Sequence, residues 1–260
     1  MDQENSVEIL GKKIFFLYPA ALVQNEVVEE LIQEEYEVYI IKDEEKLRKI
    51  LAKYPDSMVM VNINEQLPEE KWETWIRNLM SDPATVKAAV GILAPSGDEN
   101  LQRKYVNTIK VQCGYIQVKA DSRSLTKQVL AALKAANAKG LRKYIRVAPE
   151  NEAMTSINLP INNQYIKGSI KDISAAGLSC VFEKDPGLGK NSLCRNVQIK
   201  LQSILLKIEG IVFGFRIDGD TKIYVIVFTQ RTDPAVRTKI RIYAHNVMQA
   251  RLDAEFKGKN

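Results

Sequence analysis

The chain has 260 residues, of which 45% are hydrophobic and 27% charged, the composition of a folded globular protein with room for two cores. No apolar run approaches the roughly 20 residues of a membrane-spanning helix. The start, Met1-Asp2-Gln3-Glu4-Asn5, is acidic and polar, unlike a secretory leader, so a cytoplasmic protein is expected. The formal net charge of +5 hides an asymmetry: residues 1–138 carry 17 basic and 21 acidic side chains, residues 139–260 carry 20 and 11. A positive second half suits an anionic partner, whether nucleotide, nucleic acid, anionic lipid or acidic protein. The three cysteines, Cys113, Cys180 and Cys194, are odd in number and lack metal-ligand spacing, which reads as buried free thiols.

The first half alternates strand and helix. Lys13–Tyr18 is a short apolar run closed by Pro19, and 21–35 repeats apolar residues near the helical period. Strands are expected at 37–41, 57–63, 87–94 and 113–119, with helices between them at 43–54, 69–80 and 99–109 and a last one at 122–138. Asp43 is a helix cap, Pro68 opens the helix holding Trp72 and Trp75, and Gly140 is placed to end the last helix. Five such units predict a parallel sheet with helices on both faces over residues 1–138.

That order of elements resembles the receiver domain of bacterial response regulators. The family's phosphotransfer chemistry is missing from the positions that would carry it. Tyr18-Pro19-Ala20 stand where acidic residues would hold magnesium, and Asn62 and Asn64 stand where an aspartate would accept phosphate. An amide cannot form an acyl phosphate. Asp56 lies at the wrong end of its strand, Ser96 is two places late, and only Lys119 matches. The first half is therefore expected to dock or transmit, without phosphotransfer.

The second half, 139–260, changes texture. Short β-rich runs at 165–173, 178–182, 197–202, 205–217 and 222–230 are separated by turn residues, with Asp218-Gly219-Asp220 the clearest hairpin signal. This predicts a small antiparallel barrel. Asp233 and Pro234 then open a closing helix over 235–254. The fold class expected for the whole chain is α/β plus β.

Between the halves lies Leu141-Arg142-Lys143-Tyr144-Ile145-Arg146-Val147, and further on Asp172-Ile173-Ser174-Ala175-Ala176-Gly177-Leu178. Arg-x-x-x-Arg alone says little. It recurs at Arg237 and Arg241, where the spacing puts both on one face of the closing helix, read as solvated. The second segment alone would be an ordinary turn. Their order is more telling: a basic arm at a domain boundary, then Asp-x-Ser-x-x-Gly between two β runs, then a barrel and a helix.

Together these segments resemble the two signature motifs of the PilZ domain, a bacterial receptor for cyclic di-GMP, over roughly residues 139–256. The pairing with a degenerate receiver-like half is similar to two-domain PilZ proteins of spirochaetes. The resemblance implies a cyclic di-GMP site at Arg142, Arg146, Asp172, Ser174 and Gly177, with the arginines clamping phosphate and guanine. Arginine forks meet guanine O6 and N7 or a phosphate bidentately. Asp172 can accept from guanine N1–H and the amino group, Ser174 adds a hydroxyl, and Gly177 would let a ligand approach the backbone. Leu141, apolar before the first arginine, leans toward one ligand molecule over a stacked pair. The family further implies roles in signal transduction, motility or virulence through a downstream protein partner.

Other signals carry less. Gly187-Leu188-Gly189-Lys190-Asn191-Ser192 lacks the first glycine and the Ser or Thr of a phosphate loop. His245 is the single histidine, so no metal site or histidine-dependent triad is expected. No acid–base pair nominates an enzyme. The alternative to a cyclic di-GMP effector is a nucleic-acid-binding regulator using the basic half, though it shows no recognition helix and no RNA-binding aromatic motif.

Overall fold

Ile14, Phe15, Phe16 and Leu17 are consecutive and all fully buried, as in a strand covered on both faces. They make up most of β1 (Lys13–Leu17). The structure is a computed structural model describing residues 11–95, 97–118 and 121–257. The chain forms two compact units, Met1–Lys143 with Leu252–Asn260, and Tyr144–Arg251.

In the first unit β1 is followed by β2 (Val38–Ile41), β3 (Ser57–Asn62), β4 (Ala89–Ala94) and β5 (Tyr115–Gln117). All pair in parallel in the order β2-β1-β3-β4-β5. This is the flavodoxin-like order of a doubly wound sheet. Helix α1 (Val28–Gln33) is preceded by a π-helical turn, Val23–Val27. Then come α2 (Glu44–Lys53), α3 (Glu69–Ser81), α4 (Glu99–Arg103, running into a second π-helical turn at Lys104–Ile109) and α5 (Ser122–Ala135). Ile14 and Phe16 share a core with Val27, Leu31, Met58, Met60, Leu125 and Val129. Phe15 and Leu17 point the other way, as alternate strand residues must, and are equally buried. Helices α2 and α3 bury Leu47, Ile50 and Leu51, and Trp72, Ile76 and Leu79.

The Asp43 carboxylate caps α2 by accepting from the Lys46 N–H at 2.8 Å. Helix α5 ends earlier than Gly140 suggests. Asn137 takes the left-handed conformation (φ 50°), and the Ala138 N–H returns to the Leu133 carbonyl at 3.0 Å. Asparagine tolerates that backbone well, so it terminates the helix in place of the later glycine.

The second unit is a closed barrel, ordered β10-β11-β8-β7-β6-β9. Its strands are β6 (Thr155–Ile161), β7 (Gln164–Ser174), β8 (Gly177–Phe182), β9 (Leu193–Leu201), β10 (Ile204–Asp218) and β11 (Thr221–Phe228). Strand β6 was not among the expected strands. It contains Pro160, which lies past Asn158, the last residue registered with β9. A strand tolerates a residue without an N–H where one edge is open. Helix α6 (Pro234–Glu255) starts where Asp233 accepts from the Ala235 N–H at 2.8 Å, and its Ile240, Tyr243 and Val247 join the barrel core. The predicted hairpin is present, with Gly219 at φ 57°.

Cys113, Cys180 and Cys194 are free and buried. Burial pushes the Cys113 and Cys194 thiols up to about 11, so both stay protonated. Among the described residues no helix is long and apolar enough to cross a membrane.

Candidate functional site

The barrel part of the site is built by a bulge. Strand β7 sends Ile170 and Ile173 inward, three residues apart, because its register with β8 shifts between Ile170 and Asp172. Regular alternation would have put Asp172 on the side of Ile170, in the core. The extra residue, Lys171, re-aims Asp172 to the other side, which is how bulges commonly set a functional side chain.

Val147 then docks the arm. It forms a two-residue antiparallel bridge with Ile173, donating to the Ile173 carbonyl at 3.0 Å and accepting from its N–H at 2.9 Å. Val147 and Ile145 pack on the barrel core. This anchoring brings Arg146, one residue earlier, to Asp172, with Nε 3.4 Å from Oδ1. The two expected motifs thus meet at one ion pair. The Arg146 side chain is 54% exposed and that of Asp172 24%, so water screens the pair and it is easily exchanged for another anion. Arg142 belongs to the first unit and is exposed, as is Leu141.

Ser174 and Gly177 serve the turn between β7 and β8. The buried Ser174 hydroxyl donates to the Gly177 carbonyl at 3.2 Å and accepts from the Ala176 N–H at 3.3 Å. The structure supplies a different reason for Gly177 from ligand approach. A Cβ there would lie 2.4 Å from the Ile226 carbonyl oxygen and 3.1 Å from Val227 Cα, so the glycine admits the backbone of β11.

Two supporting residues were not legible in the sequence as such. Ser179, opposite Asp172 in the shifted register, is buried and donates from Oγ to Asp172 Oδ2 at 2.6 Å. It holds one carboxylate oxygen while the other faces Arg146. Arg237, expected on a solvated helix face, is only partly exposed. It donates to the Ala175 carbonyl at 2.6 Å and the Thr229 carbonyl at 2.8 Å, bracing the β7–β8 turn against the end of β11. The i, i+4 spacing foresaw the shared face but not that the first turn of α6 lies beside open strand-end carbonyls.

Ser179→Ala should therefore loosen Asp172, and any ligand held by that carboxylate should bind severalfold to about tenfold more weakly, a little under the roughly 1.5–3 kcal/mol of a hydrogen bond to a charged group because Asp172 is partly exposed. Calorimetric affinities of the variant and the parent would check this; equal affinities would show that Asp172 needs no such support.

In the first unit the end of β3 carries a structural tie. The buried Asn62 side chain donates to the Tyr18 carbonyl at 2.9 Å and accepts from the Asn64 N–H at 3.2 Å. The Tyr18 hydroxyl donates to Glu44 at 2.6 Å, and burial, with that carboxylate, pushes it up to about 12. Asp56 pairs with Lys12 at 3.0 Å. Ser96 and Lys119 lie outside the described residues. Among the described residues no cluster suited to a metal ion occurs.

No protein-family model matches the chain, and no curated protein does. Several solved structures do. The PilZ domain with c-di-GMP of YcgR from Escherichia coli is 17% identical, covering 44% of this chain and 98% of that one, at a TM-score of 0.38. The K. pneumonia MrkH–c-di-GMP complex is 18% identical over 46% of this chain and 57% of that one, at 0.38. The Bacillus subtilis inhibitor of motility, MotI/DgrA, is 15% identical over 42% and 52%, at 0.36. The chain spans about half the length of the latter two. It is in the Arg142-to-Val147 and Asp172-to-Gly177 motifs, set on a closed six-stranded barrel with a terminal helix, that this chain resembles PilZ domains.

Proposed function

We propose that the protein is a cyclic di-GMP receptor and effector. The observation that carries this reading is the convergence of Arg146 and Asp172, 26 positions apart in sequence, at one partly exposed ion pair on the barrel. An arginine fork beside a carboxylate acceptor matches the two faces of the ligand: phosphate or guanine O6/N7 for the cation, guanine N1–H and amino group for the anion. Arg142 supplies the second cation when the arm closes. Ser174 and Gly177 contribute by shaping the turn that carries Asp172. One ligand molecule is expected, because Leu141 offers no polar group to a second.

Binding trades the screened Arg146–Asp172 pair for contacts with the ligand and closes the arm over it. The chain crosses between the units twice, after Lys143 and after Arg251. Ordering of the first crossing is our route for the signal: the arm's ligand contacts exist only when it is closed, so ligand shifts the population toward one domain arrangement. That arrangement then recruits a downstream protein. Titration calorimetry with cyclic di-GMP tests the reading. Saturable binding of one molecule per chain is expected, and absence of heat at micromolar concentrations would overturn it.

A further inference from the structure

Strand β10 outlasts its neighbour on one side. Its register with β9 ends at Ile211 opposite Leu193, and Val212 makes the next bonds, to Ser192 and Asn191. Pairing with β11 continues to Asp218 opposite Thr221. Arg216–Asp218 and Thr221–Ile223 therefore form a two-stranded ribbon beyond the closed ring, since Tyr224 and Val225 still pair with Cys180 and Ser179 of β8. Among the described residues no strand registers with the other edge of β10 along this stretch. The ribbon lies at the end of the barrel opposite the β7–β8 turn, because β11 pairs Val227 with Gly177 and runs back from its Thr221 end past β8.

A bare edge is a template for another strand, and proteins usually blunt it with proline, lysine or inward charge. Here three large apolar side chains stand on it, Phe213, Phe215 and Ile217 at 65%, 50% and 65% exposed, and the one lysine beside them, Lys222 of the neighbouring strand, lies back over the Phe215 ring at 4.2 Å. The β10 bulge between Val212 and Gly214 puts Phe215 opposite Tyr224 and Arg216 opposite Ile223. Phe215 and Ile217 then share one face, and Arg216 and Asp218 the other.

We propose that this edge pairs with the same edge of a second copy of the chain, antiparallel, with Ile217 on the two-fold axis. The charge order selects that occupant. With Ile217 facing its own copy, Arg216 lies opposite Asp218 of the second copy and Asp218 opposite its Arg216, while the isoleucines meet on the apolar face. A pattern that is its own complement under a two-fold suits an isologous dimer. A partner of single charge sign, such as an acidic peptide or an anionic lipid surface, would meet Asp218 and Asp220 at the tip as well as Arg216 and Lys222. The proposal is independent of the ligand reading.

Light scattering and sedimentation over a concentration series test it on the full chain. Arg216→Asp or Asp218→Arg alone should raise the dimer dissociation constant on the order of tenfold, and the double exchange should restore it. Ile217→Lys should do the same by placing two ammonium groups on the axis. These side chains are exposed, and unchanged melting would confirm that each variant folds. Ile217→Cys gives a second readout. Opposed Cα atoms in antiparallel pairs are about 4.5–5.5 Å apart, within the roughly 4.4–6.8 Å that a disulfide spans. The native cysteines are all buried, so oxidation should yield a dimer linked at position 217. That link supports the proposal even where scattering sees mainly monomer. No link at 217, or a dimer untouched by Ile217→Lys and the single charge reversals, would overturn it.

Discussion

Replacing both arm arginines, Arg142→Ala with Arg146→Ala, is expected to lower affinity for cyclic di-GMP on the order of 100-fold or more. A hydrogen bond to a charged group contributes roughly 1.5–3 kcal/mol, so two such side chains supply about 3–6 kcal/mol. Against this stands the ion pair that Arg146 gives up on binding. At 3.4 Å and with the arginine 54% exposed, it is of the class worth about 0–1 kcal/mol. On the proposed reading, ligand contacts of that size outweigh it. Folding should change little, because exposed charge substitutions away from special features usually stay within about 0.5 kcal/mol. Calorimetry on parent, single and double variants checks the claim. An affinity within a few fold of the parent in the double variant would remove both arginines from the site.

Gly177→Ala is expected to destabilise the barrel by about 1–3 kcal/mol, the usual cost of overpacking a filled space. The added methyl would stand 2.4 Å from the Ile226 carbonyl oxygen, and that neighbour is strand backbone that cannot swing aside as a flexible side chain would. Relief requires β8 and β11 to part where Val227 pairs with Gly177. For a domain of this size, roughly 4–8 °C of melting temperature is lost per kcal/mol. Thermal melts of the free protein separate the two roles open to this glycine. A clear fall in melting temperature without ligand supports the packing role. An unchanged melt with lost affinity would return Gly177 to the role of admitting ligand.

Two of the barrel's bulges show how little backbone irregularity is needed to give it its surfaces. One residue inserted at Lys171 brings Asp172 out to the rim, and one at Phe213 places Phe215 beside Tyr224 at the base of the projecting ribbon, with ring centroids 5.9 Å apart. Each reverses the alternation of the residues beyond it, as a one-residue shift must.

The amino-acid sequence by itself determined the local elements: the buried β1 run, the Asp43 cap, the Gly219 hairpin, the opening of α6 at Asp233 and Pro234, and the division into an α/β and a β half. These signals act over two to four residues, through alternation, helical period and cap chemistry, so they survive without knowledge of distant neighbours. It also displayed both motifs in order. Tertiary structure alone decided what surrounds them. Ser179 reaches Asp172 only because a bulge shifts the register, Arg237 turns to strand-end carbonyls only because α6 begins beside them, and Gly177 is filled against a strand some fifty positions later in the chain. Strand β6 emerged only with partners on both sides, since Thr155–Ile161 contains a proline that reads locally as a break. Contacts of this kind depend on pairing between distant segments, and no local pattern encodes which segment will arrive.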